Sequence, residues 1–275
     1  MVFVASGQEA TTDPSKRSYT LFNPTPEALM RELSADRPDK TESAHTVDAG
    51  HFQLEMDLAN LTSNKPDTTA GTGRTTAYEV APMNLKIGLL NNLDVQLGFI
   101  PFRWERERGI AGGPTEVSSG FSGVTPRMKL SLVGNDEGLF ALALLPFASV
   151  STQSDTLGEH RLEGGLKIPF AFRVPGWDLS AMTEVDAVRN ERDRGHHWML
   201  VNSLSLGRPL FGRFSGFGEF FSSVSEERGA GWIGTANFWI TYQANKNLRL
   251  DAGVYIGVTS AAEDWHPFLG LTWRY

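Results

Sequence analysis

An all-β fold, a transmembrane antiparallel up-and-down barrel of about twelve strands, is what this sequence predicts. Three observations carry the prediction. From Gly50 onward the chain runs in segments whose apolar and polar residues alternate with period two, the mark of strands with one greasy and one wet face. The connections are sorted too. One set is short and rich in Asn, Gly and Pro, and the other is mostly longer and charged, as in barrels with tight turns at one membrane face and loops at the other. The last segment, 265–275, keeps Tyr275, Trp273, Leu271, Leu269 and Trp265 on one parity, broken by Pro267, and ends in aromatics.

Composition narrows the field. The chain has 275 residues, a net charge of -7 and no cysteine. The acidic balance argues against a nucleic-acid partner. Without cysteine there is no thiol chemistry, zinc-thiolate site or disulfide. No apolar run approaches the roughly 18 residues of a membrane helix. The longest, 139–150, is close to the roughly 9–11 residues of a tilted membrane strand, and its Pro146 would be poorly tolerated in a buried helix.

Residues 1–50 are polar and lack alternation, so they form a segment separate from the barrel of 51–275. Met1 to Ala10 has no basic n-region and only a short apolar run; it reads as the remnant of a signal peptide, with Val4 to Ser6 near a cleavage site. Thr25, Pro26 and Glu27 predict a short helix over 25–33, with Thr25 as N-cap and Pro26 at the first helical position.

Strands follow in order at 51–62, 77–89, 93–104, 121–133, 139–150, 160–172, 178–189, 196–206, 213–224, 232–243, 248–259 and 265–275. A long Gly/Glu/Arg loop is expected at 105–120. Charged loops are expected at 151–159, 190–195, 225–231 and 260–264. The strand 248–259 alternates most regularly: Leu248, Leu250, Ala252, Val254, Ile256 and Val258 lie against Arg249 and Asp251. It puts Val254 on the lipid side and Gly253 in the lumen, where a serine should fit. Lipid accepts no unpaired edge, so the sheet must close, the last strand pairing with 51–62.

The wet faces then line a lumen: Glu55, Asp57, Lys86, Arg127, Lys129, Glu163, Glu184, Asp186, Arg213, Glu219, Arg249 and Asp251, with Phe217, Phe221 and Trp239 as a candidate apolar patch. Both signs occur in similar number. They can be a solute-selective lining or a self-neutralising network with pairs such as Asp94–Lys129, Lys167–Glu184 and Glu55–Arg274. The network implies weak ion selectivity. Trp104, Trp177, Trp198, Trp232, Trp265, Trp273, Tyr242 and Tyr275 sit near strand ends, where membrane interfaces favour Trp and Tyr.

The segment 23–43, with Arg37-Pro-Asp-Lys-Thr-Glu-Ser43, followed by Gly50-His-Phe-Gln-Leu-Glu55, resembles the family of transporters assigned to the MetA pathway of phenol degradation. The hairpin pieces Asn92-Leu-Asp-Val-Gln-Leu-Gly98 and Asn247-Leu-Arg-Leu-Asp-Ala-Gly253 and the aromatic C-terminal strand are similar to that family as well. The resemblance runs from about residue 23 to the end. It implies an outer-membrane barrel with a transport role, and names no ligand residues. In barrels of this kind the terminal aromatic strand is what the assembly machinery reads, which gives Tyr275 that partner.

Arg37, Asp39, Thr41 and Glu42 are candidates for a plug or gate in the lumen, or for a seal at its periplasmic mouth. The histidines His51, His160, His196, His197 and His266 have poor spacing for a metal: neighbours such as His196 and His197 face opposite sides of a strand. No cofactor and no metal is expected. Ser203 and Ser205 lie on a wet face, but nothing marks a nucleophile, so an enzyme is not expected. The expected function is passive passage of small molecules, hydrophobic or aromatic ones among them, across a bacterial outer membrane, the other partner being its lipid. The alternatives are a filled barrel with a structural or adhesive role and a membrane-embedded lipid hydrolase.

Overall fold

A computed structural model of the protein describes residues 14–64, 74–109, 113–150, 162–190 and 195–275. The strands are β1 (Phe52–Asn64), β2 (Arg74–Val80), β3 (Met83–Leu90), β4 (Leu93–Phe99), β5 (Phe102–Arg108), β6 (Thr115–Gly120), β7 (Val124–Val133), β8 (Phe140–Val150), β9 (Leu162–Val174), β10 (Trp177–Arg189), β11 (His196–Phe211), β12 (Phe214–Ser225), β13 (Ile233–Asn245), β14 (Leu248–Gly257) and β15 (Trp265–Arg274). They pair antiparallel in one sheet that closes through β15 and β1.

The barrel has twelve staves, because three are each made of two strands. Short breaks at Ala81-Pro82, Ile100-Pro101 and residues 121–123 divide β2 from β3, β4 from β5 and β6 from β7. Proline donates nothing to a ladder, so Pro82 and Pro101 interrupt pairing. Ala81 adopts a φ of 53°, in the left-handed region. On the turn side of the breaks β1 pairs with β3; on the loop side it pairs with β2.

The expected loop at 105–120 is mostly strand. β5 and β6 continue to a turn in which the Gly109 amide donates to the Pro114 carbonyl. Beyond the bilayer both faces of a hairpin meet water, so these residues carry no apolar alternation to betray it. β11 likewise runs on to Phe211, beyond the strand expected at 196–206. The charged loops near 151–159 and within 190–195 lie largely outside the described residues.

The helix expected over 25–33 is only a 3-10 turn, Glu27–Leu29, and Thr25 caps nothing. The chain leaves it extended at Met30, and the Arg31 amide donates to Asp48 Oδ2 at 3.0 Å. A tertiary carboxylate has replaced the helical carbonyl.

The outward face is apolar: Leu85, Leu97, Met128, Leu204, Phe220, Phe238, Ile240 and Leu269 stand about half exposed. Trp198, Trp232 and Trp265 mark its loop end, and Trp177, Trp273 and Tyr275 its turn end. Such a band between aromatic girdles is a lipid-facing surface. At the seam Leu54 faces Trp273, and Phe52 and Tyr275 exchange backbone hydrogen bonds of 2.8 and 2.9 Å.

Candidate functional site: the plugged lumen

The lumen is occupied by the chain's own N-terminal segment. Strand alternation sends Lys86, Arg127, Lys129 and Lys167 inward along one side of the wall, and Glu55, Asp57, Glu219 and Asp251 along the rest. Residues 34–48 run between the two charge sets and match both. Asp36 lies 2.5 Å from Lys86 and 2.6 Å from Lys129. It also accepts the Ser43 amide, and its own amide donates to Glu55. Arg37 spans Asp251, at 2.7 and 3.1 Å, and Asp57, at 2.7 Å. The Lys40 and Thr41 amides and the Thr41 hydroxyl all donate to Glu219. Glu42 reaches Arg127 at 3.0 Å and Lys167 at 2.9 Å. The Tyr255 hydroxyl donates to the Pro38 carbonyl.

Close approach needs small residues. Ala44 packs on Ala141 and Ala143 of β8, with Ala171 beside them. This explains why the longest apolar run has no wet face: its inward side meets the plug instead of water. A Cβ on Gly88 would lie 2.0 Å from the Asp48 carbonyl, and one on Gly270 2.2 Å from the Arg37 guanidinium. Glycine at both lets the segment press against the wall.

Toward the turn end a second set of charges ties plug to barrel. Asp48 has Arg31 at 3.2 Å, Lys16 at 3.3 Å and Arg274 at 3.6 Å. Asp136, in the turn before β8, meets Lys16 and Arg31. Burial alone would raise its carboxyl, but these cations outweigh it and hold it below the usual range. Arg274 also donates to the Arg31 carbonyl, so the plug is fastened to the closing strand.

On the loop side of the plug a chamber of about 610 Å³ remains. Its floor is Asp36, Arg37, Asp39, Lys40 and Glu42; its wall includes Arg127, Lys167, Glu184 and Asp186, with Met83, Phe99, Ile100, Val201 and Phe221 as apolar surface. Burial, with Glu219 adding, pushes the Asp39 carboxyl well above the usual range. Lys40 Nζ sits 4.3 Å from the Phe221 ring and 5.2 Å from that of Tyr255.

The structure brings together Arg37, Asp39, Thr41 and Glu42 with Glu55, Asp57, Lys86, Arg127, Lys129, Glu219 and Asp251. Glu163 accepts the Arg189 amide, and Arg249 is half buried. Arg213 does not join them: it lies exposed in the turn before β12 and donates to the Ala244 carbonyl, because that strand begins one residue later than its alternation suggests. Phe217 and Trp239 stack at 5.3 Å and 2°, while Phe221 stands apart under Lys40.

Of the expected wall pairs, Lys167–Glu184 is present at 3.7 Å. Asp94 faces Lys129 in register, but Lys129 takes Asp36 instead. Glu55 faces Thr272 and pairs with Lys86; Arg274 faces Gln53 and turns to Asp48. Lys129 and Arg274 leave their expected partners because the plug supplies Asp36 and Asp48, whereas Glu55 takes the wall's own Lys86. Asp36, Asp48 and Arg31 are the residues the sequence reading missed. Their only signal was an excess of charge in a segment with no amphipathic period.

Among the described residues no cluster of His, Cys, Asp and Glu fits a metal. His51 and His196 bond to backbone carbonyls, His197 to Asn190 and His266 to Thr62 and Glu263. His160 lies outside the described residues. Ser203 is met by the Thr41 hydroxyl at 2.7 Å.

Residues 35–275 match the model of the family described as "Putative MetA-pathway of phenol degradation". Among solved structures, the COG4313 outer membrane channel from Pseudomonas putida F1 is similar with a TM-score of 0.61 and 11% identity, over 91% of this chain and 99% of that one. The NanC porin is similar with a TM-score of 0.50 and 8% identity, over 79% and 98%. At such identities the likeness is one of fold, that of outer-membrane channels. No curated protein sequence matches the chain.

Proposed function

From the premise that this chain belongs to the MetA-pathway phenol-degradation family, we propose that it is an outer-membrane channel for small hydrophobic or aromatic molecules, gated by its own N-terminal segment. One observation carries the reading: a chamber large enough for a small organic molecule, half apolar, whose floor is the N-terminal segment and not the barrel wall. A pocket with an apolar surface and a few placed charges suits small ligands. The plug is held mainly by ion pairs and hydrogen bonds, and its apolar packing is the small contact of Ala44 with Ala141 and Ala143, so its release exposes little apolar surface. The proposed role is transport, and Ser203 accepts a hydrogen bond from the Thr41 hydroxyl of the plug.

The filled, structural barrel is the second reading, favoured by the density of charge pairs around residues 34–48. Planar-bilayer recordings separate the two. The channel reading expects low conductance from the intact protein and a marked rise when Asp36 and Glu42 are both replaced by alanine. Silence in both proteins, with the barrels folded, would leave the structural reading standing.

A further inference from the structure

Among the described residues, the wall uses less of the Glu42 carboxylate than of the Asp36 carboxylate or the Arg37 guanidinium. Only Oε1 is used, by Arg127 and Lys167 together. The second oxygen, Oε2, is buried with no hydrogen-bond partner among the described residues, and so is Nε of Arg127. Arg37, by contrast, is chelated by two carboxylates. A guanidinium and a carboxylate bond best through two parallel N–H···O contacts. The Arg127–Lys167 pair therefore has donor capacity that the tethered carboxylate, set by the path of the plug, does not use. All three residues line the chamber. An apolar surface adjoins them: Phe147 is the register partner of Arg127, and its ring lies 5.5 Å from Lys167 Nζ.

We propose that Arg127 and Lys167 form a recognition subsite for the carboxylate of a hydrophobic organic acid, and that Glu42 is a tethered stand-in which the incoming acid displaces, loosening the tip of the plug. This rests on the channel reading and names its substrate class. Charge conservation favours it. Exchanging one carboxylate for another leaves neither cation buried and unpaired, whereas a neutral molecule offers nothing to replace Glu42. Glu184, 3.7 Å from Lys167, and Asp186 beside it on β10 stand against a second negative charge. The subsite is therefore built for monocarboxylates with an aryl or alkyl body.

The test is binding to the full-length purified barrel in neutral detergent, read by tryptophan fluorescence against a micelle blank. The probes are 4-phenylbutyrate and its neutral isostere 4-phenylbutanamide, and heat-modifiable mobility certifies the fold of each variant. The acid should bind at least about tenfold more tightly than the amide, given the strength of charge-assisted bonds. Glu42→Gln should tighten acid binding by about tenfold by removing the internal competitor, and Arg127→Gln should abolish the preference for acid over amide. Equal binding of acid and amide, or a preference that survives Arg127→Gln, overturns the subsite. Bilayer conductance keeps the two proposals apart. A current that rises when the plug is loosened, with no acid preference, sinks the subsite alone. Acid-selective binding in barrels that never conduct supports the subsite and sinks the channel.

Discussion

The plug meets the barrel wall in two ways, and the contrast locates the movable part. Around Asp36 both carboxylate oxygens are used, by Lys86 and Lys129, Lys86 has Glu55 as a second partner, and the side chains of Asp36, Lys86 and Lys129 are at most 4% exposed. Around Glu42 one carboxylate oxygen is shared, and Arg127 and Lys167 keep 23% and 15% of their side-chain surface open to the chamber. Charges lose most when a partner is removed from a dry site and least when water can take its place. The base of the plug is therefore an anchor and its tip a latch. In the proposed gated channel, opening starts at Glu42.

Changes at the seam should have the largest effect, because it closes the barrel and also holds the plug's turn end: Arg274 reaches Asp48 and the Arg31 carbonyl. Tyr275 closes β15 on β1 through its backbone and turns its ring outward. We expect Tyr275→Asp to lower outer-membrane levels and leave degraded protein, while Thr272→Ser, facing the lumen, assembles normally. Immunoblots of membrane fractions decide it, and normal yield of Tyr275→Asp would reduce the aromatic end to an ordinary strand end.

Next in size is the anchor. Asp36→Ala leaves Lys86 and Lys129 without a counter-ion they share, at a cost of roughly 3–5 kcal/mol to the docked plug. Conductance should rise strongly while the barrel keeps its heat-modifiable mobility. If Asp36→Ala conducts no more than Glu42→Gln, anchor and latch are not different.

The response to acid sharpens the contrast further. Burial, with Arg31 and Lys129 adding, depresses His45 to about 4 from 6.5. As pH falls through that window a released plug takes up a proton that the docked one refuses, so His45 favours release in acid. Asp39 has the opposite sign: its raised carboxyl lets the docked plug take up the proton first, so acid favours docking. Asp39→Asn should thus make the segment 14–50 more protease-sensitive on acidification from about pH 7.5 to about pH 5, and His45→Gln should make it less so. Matching responses in the two variants would contradict these signs.

The smallest effect belongs to the latch. Glu42→Gln keeps hydrogen bonding to Arg127 and Lys167 but loses charge, and should raise conductance only modestly, by an amount in keeping with a partly exposed pair worth up to about 1 kcal/mol.

Much of this molecule was legible in its sequence, and the reasons differ by region. Strand parity reports which side of a wall is greasy, so the sorting of Lys86, Glu219 and Asp251 inward follows from Leu85, Phe220 and Leu250 pointing outward. Parity says nothing of depth or crowding. Gly253 does face the lumen, but a Cβ there would lie 2.4 Å from the Phe238 carbonyl and 2.7 Å from the Phe268 ring, so the serine expected to fit has no room. Parity is also silent on the plug, whose residues have no period because their partners belong to many strands. Arg37, Asp39, Thr41 and Glu42 were marked by their box alone. Asp36, one position upstream and central to the anchor, was not.

The protein has no cysteine, which makes a single cross-link the most direct test of a plug that must move for anything to pass. The Thr41 and Ser203 hydroxyl oxygens are 2.7 Å apart, plug tip against wall. In the variant Thr41→Cys/Ser203→Cys, oxidation should form a disulfide seen as a mobility shift, and single-channel conductance should fall when it forms and recover on reduction. A disulfide that forms and leaves conductance unchanged would contradict the account, since the path through the barrel would then not run past the plug.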